Sequence, residues 1–148
     1  MVASMTDEQL IQSMAAIVRA GCGRMTAAQF AALTASVAQA ESLPARPWWD
    51  RKAVAHAETI AMLGVMTGDP ALIRLAGLAA GWTYDLAMAA GVAADGVILA
   101  SRRRLLHDLK AADAESAAQE IEKHLRALRF MARLSAGHER GQVIRRVS

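Results

Sequence analysis

The chain has 148 residues, 54% of them apolar or aromatic, which is enough for one well-buried core and too few for two. Aromatic residues make up only 4%, and alanine, leucine and methionine dominate, a balance that favours helix packed on helix over sheet packed on sheet. The formal net charge is +3, and its basic excess gathers at Arg102-Arg103-Arg104, Arg126, Arg129, Arg133 and the tail Arg140, Arg145 and Arg146, without interleaved aromatics or a reading motif, so it is taken as a solvated face and tail and not as a duplex reader.

In chain order, Thr6-Asp7-Glu8-Gln9 forms a capping box that predicts a first helix burying Leu10, Met14, Ile17 and Val18 and ending at Gly21 and Gly23. Thr26-Ala27-Ala28-Gln29 repeats the signature and opens a second helix with Phe30, Leu33 and Val37 on one face, stopped by Ser42-Leu43-Pro44. Ala45-Arg46-Pro47 is the linking turn, and Trp48-Trp49 after it act as a staple at the start of the next helix. Asp50 is expected to cap a third helix carrying Val54, Ala57, Ile60, Ala61 and Leu63, with Gly68 at its end. Asp69-Pro70 then restarts the chain, because aspartate caps and proline suits the first helical position. The fourth helix is predicted from Pro70 to about Ala90, with Leu72, Leu75, Leu78, Trp82, Leu86 and Met88 as its apolar positions and Gly77 and Gly81 as points of close packing. A loop covers Gly91 to Gly96. A fifth helix carries Ile98, Leu99, Leu105, Leu106 and Leu109, and Asp113 caps a sixth running to about Ser135. The expected organisation is a disordered N-terminus over 1–5, one helical domain over 6–136 and a flexible basic tail over 137–148.

Cys22, the only cysteine, excludes an internal disulfide and suits a reducing cytosol. Met1 to Ser4 lack the layout of a signal peptide, and no apolar run reaches the length of a membrane span, so the expectation is a soluble, cytoplasmic protein. Enzyme chemistry finds no foothold: a glycine-rich phosphate loop, a nucleophile elbow, a His-Glu-x-x-His and centrally placed paired carboxylates are all missing from the sequence.

The stretch Leu105-Leu106-His107-Asp108-Leu109-Lys110-Ala111-Ala112-Asp113-Ala114-Glu115-Ser116-Ala117-Ala118, followed by His124-Leu125, joins two amphipathic helices through one capped break and places a histidine eleven residues past the cap. Together with Ala55-His56-Ala57-Glu58-Thr59-Ile60 and Thr67-Gly68-Asp69-Pro70-Ala71-Leu72, this order of junctions resembles the C-terminal effector-binding domain (FCD, the FadR C-terminal domain) of GntR-family bacterial transcription regulators, over roughly residues 7 to 136. The resemblance implies an all-α antiparallel bundle of about six helices that binds a small, carboxylate effector and forms a homodimer. It also implies that DNA is read only by a winged helix-turn-helix, which is expected outside this chain, since five residues precede the first cap.

Many members of that family hold zinc or nickel with one aspartate and three histidines in the bundle centre. By that resemblance His56 and His124 fall on the first and last histidine, whereas Lys52 stands at the aspartate position and Arg102 at the middle histidine. The degenerate site keeps two of its four ligands, and an ammonium and a guanidinium have no lone pair for a metal, so no cofactor is expected; zinc or nickel would be the metal if the remnant still bound one. The replacements point instead to an effector site built on Lys52, His56, Arg102 and His124, with Trp82 as one wall. Against this stand plainer alternatives: Lys52 reaching solvent or pairing with Glu58 or Asp108, Arg102 belonging to the solvated basic run, and both histidines being ordinary hydrogen-bonded core residues. His107 and His138 are read as surface histidines. A structural oligomerisation module with a filled centre is the rival to effector binding.

Overall fold

The computed structural model describes the backbone of residues 5–147 and the side chains of residues 5–137. It is an all-α bundle of six helices, with no strand among the described residues: α1 Asp7–Cys22, α2 Ala27–Ser42, α3 Trp49–Val65, α4 Pro70–Ala90, α5 Asp95–Lys110 and α6 Ala114–Val147, with a short 3-10 turn at Val92–Ala94. The local caps explain most of these boundaries. Thr6 Oγ1 accepts from Gln9 N while Gln9 Oε1 accepts from Thr6 N, and Thr26 and Gln29 do the same at α2, so each box satisfies two amides that the helix itself leaves orphaned. Asp69 accepts from Ala71 N ahead of Pro70, and Asp113 accepts from both the amide and the hydroxyl of Ser116.

The start of α3 departs from expectation. Asp50 does not cap it: the helix begins one residue earlier, at Trp49, Trp48 makes no side-chain cap, and Asp50 lies exposed in the first turn. Tertiary contact supplies the anchor instead, because the buried Trp49 donates its indole Nε1 to Ala87 O at 3.0 Å and so ties the head of α3 to the end of α4. Trp48 stays half exposed with the Arg51 guanidinium over its ring at 4.5 Å.

α1, α3, α4 and α6 surround the larger core, where Ile11, Met14, Ile17, Ile60, Leu63, Ile121 and Leu125 are fully buried. α4 enters it with small side chains: its buried positions are Ala76, Ala79, Ala80, Thr83 and Ala87, whereas the larger residues expected there lie partly buried or, at Leu78 and Met88, exposed. Val54 of α3 is likewise exposed. Nothing lies within 4 Å of a Cβ built on Gly77 or Gly81, so the close approach expected of them is absent within the described structure. It occurs at Gly64, where a Cβ would stand 2.5 Å from Ala76 Cβ and 3.1 Å from Leu72 O, which lets α3 and α4 touch backbone to backbone.

Between α5 and α6 the chain reverses over three residues. Asp113 N donates to Asp108 O at 2.9 Å and Ala112 N to Leu109 O at 3.0 Å, with Ala112 in the left-handed region at φ 55. α6 continues past Ser135 as far as Val147. The expected flexibility of the basic tail, the surface position of His138 and the expected disorder of the N-terminus fall on side chains or residues outside those described. No single helix among the described residues is long and apolar enough to cross a membrane; α4 and the segment Val92–Lys110 pass that test only as a pair bent by 113°.

Candidate functional site

Three helices bring charge into the middle of this bundle. On α3, Lys52 and His56 lie one turn apart and both are buried. α5 presents Asp95, Ile98, Arg102, Leu105 and Leu109 at heptad spacing along one face, and His124 comes from the buried face of α6. Lys52, His56, Arg102 and His124 are each no more than 3% exposed.

Lys52 and His56 share one carboxylate. Lys52 Nζ stands 3.0 Å from Asp95 Oδ2 and also donates to Leu43 O at 2.8 Å, while His56 Nε2 lies 3.0 Å from Asp95 Oδ1. A carboxylate accepts, so the ring proton sits on Nε2 and Nδ1 is left with a bare lone pair. Burial pushes the His56 imidazole down to about 4; the hydrogen bond to Asp95 opposes this, and the cations Arg102 and Lys52 add to it. His124, enclosed completely, is pushed well below the usual histidine range by burial first and then by Arg102, His56 and Arg104. Both rings are neutral at neutral pH.

Arg102 is the outlier. Its neighbours in sequence and the other members of the basic excess whose side chains are described are paired: Arg103 with Glu41, Arg104 with Glu120 at 2.8 Å, Arg126 with Glu8 and Glu122, Arg129 with Glu8 and Arg133 with Asp7. Arg102 is 1% exposed and donates once, from Nη2 to His56 O at 3.2 Å. Its Nε and Nη1 meet no partner among the described residues, and neither do His56 Nδ1, His124 Nδ1 and His124 Nε2. Burial lowers the guanidinium to about 10, which leaves it charged at neutral pH. With Lys52 matched by Asp95 and both imidazoles neutral, the cluster carries one uncompensated positive charge.

Four of the five residues expected at the site therefore meet in one buried cluster. Arg102 does not belong to the solvated run, and Lys52 reaches neither solvent nor Glu58 or Asp108. Trp82 is partly buried against the larger core, and the aromatic ring beside the cluster is that of Trp49, whose centroid lies 6.1 Å from that of His56. Asp95 was hidden by the apparent Gly91 to Gly96 loop. The signal that finds it is the heptad on α5 carried one turn further back from Ile98. His107 is exposed, on a surface groove with Arg103, Arg104, Asp108 and Glu120.

The donors do not fit the metal that the family resemblance implies. Two of the four positions are cations, the single carboxylate is already held by Lys52 and His56, and no group of three or more His, Cys, Asp or Glu among the described residues could hold an ion. What the arrangement can do is accept a negative group: Arg102 offers two free donors in its planar fork, His124 one donor and one acceptor, and His56 one acceptor. Compared with protein-family models, with curated proteins and with solved structures, the chain finds no match in any of the three.

Proposed function

We propose that this chain is the ligand-sensing domain of a GntR/FadR-type transcription regulator, and that it binds a small monoanion at Arg102, His124 and His56. The observation that carries the reading is the buried Arg102 guanidinium with two unused donors and no carboxylate of its own. An ion enclosed without a partner costs several kcal/mol, and arginine does not escape by losing its proton. A ligand that brings the missing negative charge recovers that cost, which gives binding a large driving force from very few contacts.

The cluster also describes the ligand. One net positive charge matches a monoanion better than a phosphate monoester, and the planar guanidinium matches a carboxylate in two parallel hydrogen bonds, one from Nε or Nη1 and the other from the second hydrogen of Nη2. The lone pair on His56 Nδ1 and the acceptor nitrogen of His124 call for a hydrogen-bond donor on the same molecule, so a carboxylate that also carries a hydroxyl uses the full set. Lys52 and Asp95 serve as positioning residues that fix the His56 tautomer. In this reading operator DNA is contacted by a separate winged-helix domain, and no step of catalysis is involved.

The test is thermal unfolding against a panel of small carboxylates with and without a hydroxyl group. A ligand at about one hundred times its dissociation constant stabilises the folded state by roughly 2.7 kcal/mol. Arg102→Met should fold and lose the response. A parent whose melting temperature ignores every anion in the panel would leave the structural oligomerisation module as the better account.

A further inference from the structure

A small apolar cavity lies between α2 and α3, at the opposite end of α3 from Lys52. It measures about 100 Å³ and is lined by Gln29, Ala32, Leu33, Met62, Val65 and Met66. Leu33 and Met66 are buried and form its floor, whereas Ala32 and the half-exposed Val65 form its rim. The lining carries no charge, and its one polar side chain, Gln29, already accepts from Thr26 N through Oε1 at 3.0 Å. Met66 is the long side chain best placed to collapse into the space, but it is engaged elsewhere. A Cβ on Gly21 of α1 would stand 3.3 Å from its methyl carbon, so that methyl lies against α1.

Water gains nothing in such a place, because a buried water needs several polar partners, and an apolar cavity that lacks them stays dry and takes up small apolar molecules. Size narrows the class. A dry cavity of about 150 Å³ takes benzene whole, so one of about 100 Å³ takes about four carbon atoms. We infer that this cavity binds an uncharged aliphatic group of about four carbon atoms, and that its occupant fastens α2 to α3. α2 has few other apolar anchors: its buried residues are Leu33, Val37 and Ala40, and the cavity lies beside the first of them. Any motion that lifts α2 from α3 destroys the cavity, so occupancy and closure of α2 reinforce each other. The surface of α2 around the rim is Ala28, Ala31 and Ala35, all exposed, and offers none of the aromatic or arginine groups that anchor a protein partner. The occupant is therefore a small molecule. The site takes no anion and works independently of the charged cluster.

The test is methyl NMR on the full chain with labelled methionines, titrated with xenon and with 1-butanol. The methyls of Met62 and Met66, identified through Met62→Leu and Met66→Leu, should shift and saturate while those of Met14, Met88 and Met131 hold still. 1,4-Butanediol has the same chain but must bury a hydroxyl without a partner, and should bind at least about tenfold more weakly. Ala32→Leu fills the cavity from its exposed rim with a good helix former, so the variant should melt no lower than the parent and lose the response. Xenon at about ten times its dissociation constant should slow amide exchange in α2 about tenfold. Shifts spread evenly over all the methionines overturn the inference. So does an Ala32→Leu protein that responds like the parent, a diol that binds as tightly as the alcohol, or α2 exchange indifferent to xenon. A response that fades as protein concentration rises would give the cavity to a side chain of a second copy, and overturns it as well.

Discussion

His56 and His124 make the folded state sensitive to acid. Both have folded-state affinities for a proton below the ordinary value near 6.5, His56 falling to about 4, so the unfolded chain binds protons first as pH drops. Stability is therefore full above about 6.5 and is lost as pH falls from there towards 4, by about 1.4 kcal/mol per pH unit for each histidine. Urea unfolding across that window should show a slope near two protons. His124→Leu should remove about half of the slope, because it deletes one titrating ring and two unpaired nitrogens while keeping the volume filled. A variant with the parent's slope would mean that His124 is solvated or already charged in the fold. The same residues show how much of the site could be read beforehand. The meeting of His56 and His124 was expected only through the resemblance to the FCD domain, whereas the residues by themselves left both as ordinary hydrogen-bonded core histidines. The carboxylate that joins Lys52 to His56 was not legible at all, because Asp95 lies between two glycines and only the folded α5 reveals it as the first residue of a heptad.

At the scale of elements, the caps were the legible part and the buried face of α4 was not. Thr6, Thr26, Asp69 and Asp113 act through hydrogen bonds to their own next turn, so their meaning needs no tertiary information. Asp50 shows the limit of that logic: a local cap signal gives way when Trp49 finds a buried partner across the bundle. α4 is apolar nearly all round, and size is a poor guide to burial in such a helix. Ala76, Ala79, Ala80, Thr83 and Ala87 go inward because α3 approaches at Gly64 with no room for more, and the larger residues are displaced to the flanks and the outside. The α5–α6 break carries a stored cost that can be removed. Ala112 occupies the left-handed conformation at φ 55, where a Cβ crowds the backbone. Ala112→Gly should raise unfolding free energy by about 0.5–1 kcal/mol, the relief of that crowding exceeding the extra freedom that glycine gives the unfolded chain. Chemical denaturation of the two proteins side by side measures the difference, and a less stable variant would count against the left-handed turn.

Among the described residues, charge is arranged so that one buried cation, Arg102, is left without an opposite charge. Arg19 grips Glu115 with two hydrogen bonds at one end of α1, and Arg126, Arg129 and Arg133 reach Glu8 and Asp7 at the other, so that α1 is fastened to α6 along its length. α2 is held differently. Only Leu33, Val37 and Ala40 of its sixteen residues are buried, and its C-terminal end is fixed where Lys52 Nζ holds the Leu43 carbonyl. α2 is also tied to α5 by the ion pair of Glu41 with Arg103 and to α3 by the hydrogen bond between Ser36 Oγ and Thr59 Oγ1 at 3.2 Å, so polar contacts supplement a thin apolar face.

That single hydrogen bond from Lys52 to Leu43 has a consequence for time. In the proposed reading an anion has to reach a guanidinium that is 1% exposed, so its entry waits on an opening of the fold, for which the α2–α3 connection tied at Leu43 is the candidate, and the waiting is then a property of the protein and not of the ligand. Association followed by the fluorescence of Trp49, which lies beside His56, should accelerate with ligand concentration only up to a plateau equal to the opening rate. Lys52→Met, which releases Leu43, should raise the plateau. A rate that climbs in proportion to concentration without limit would mean that the door was never closed.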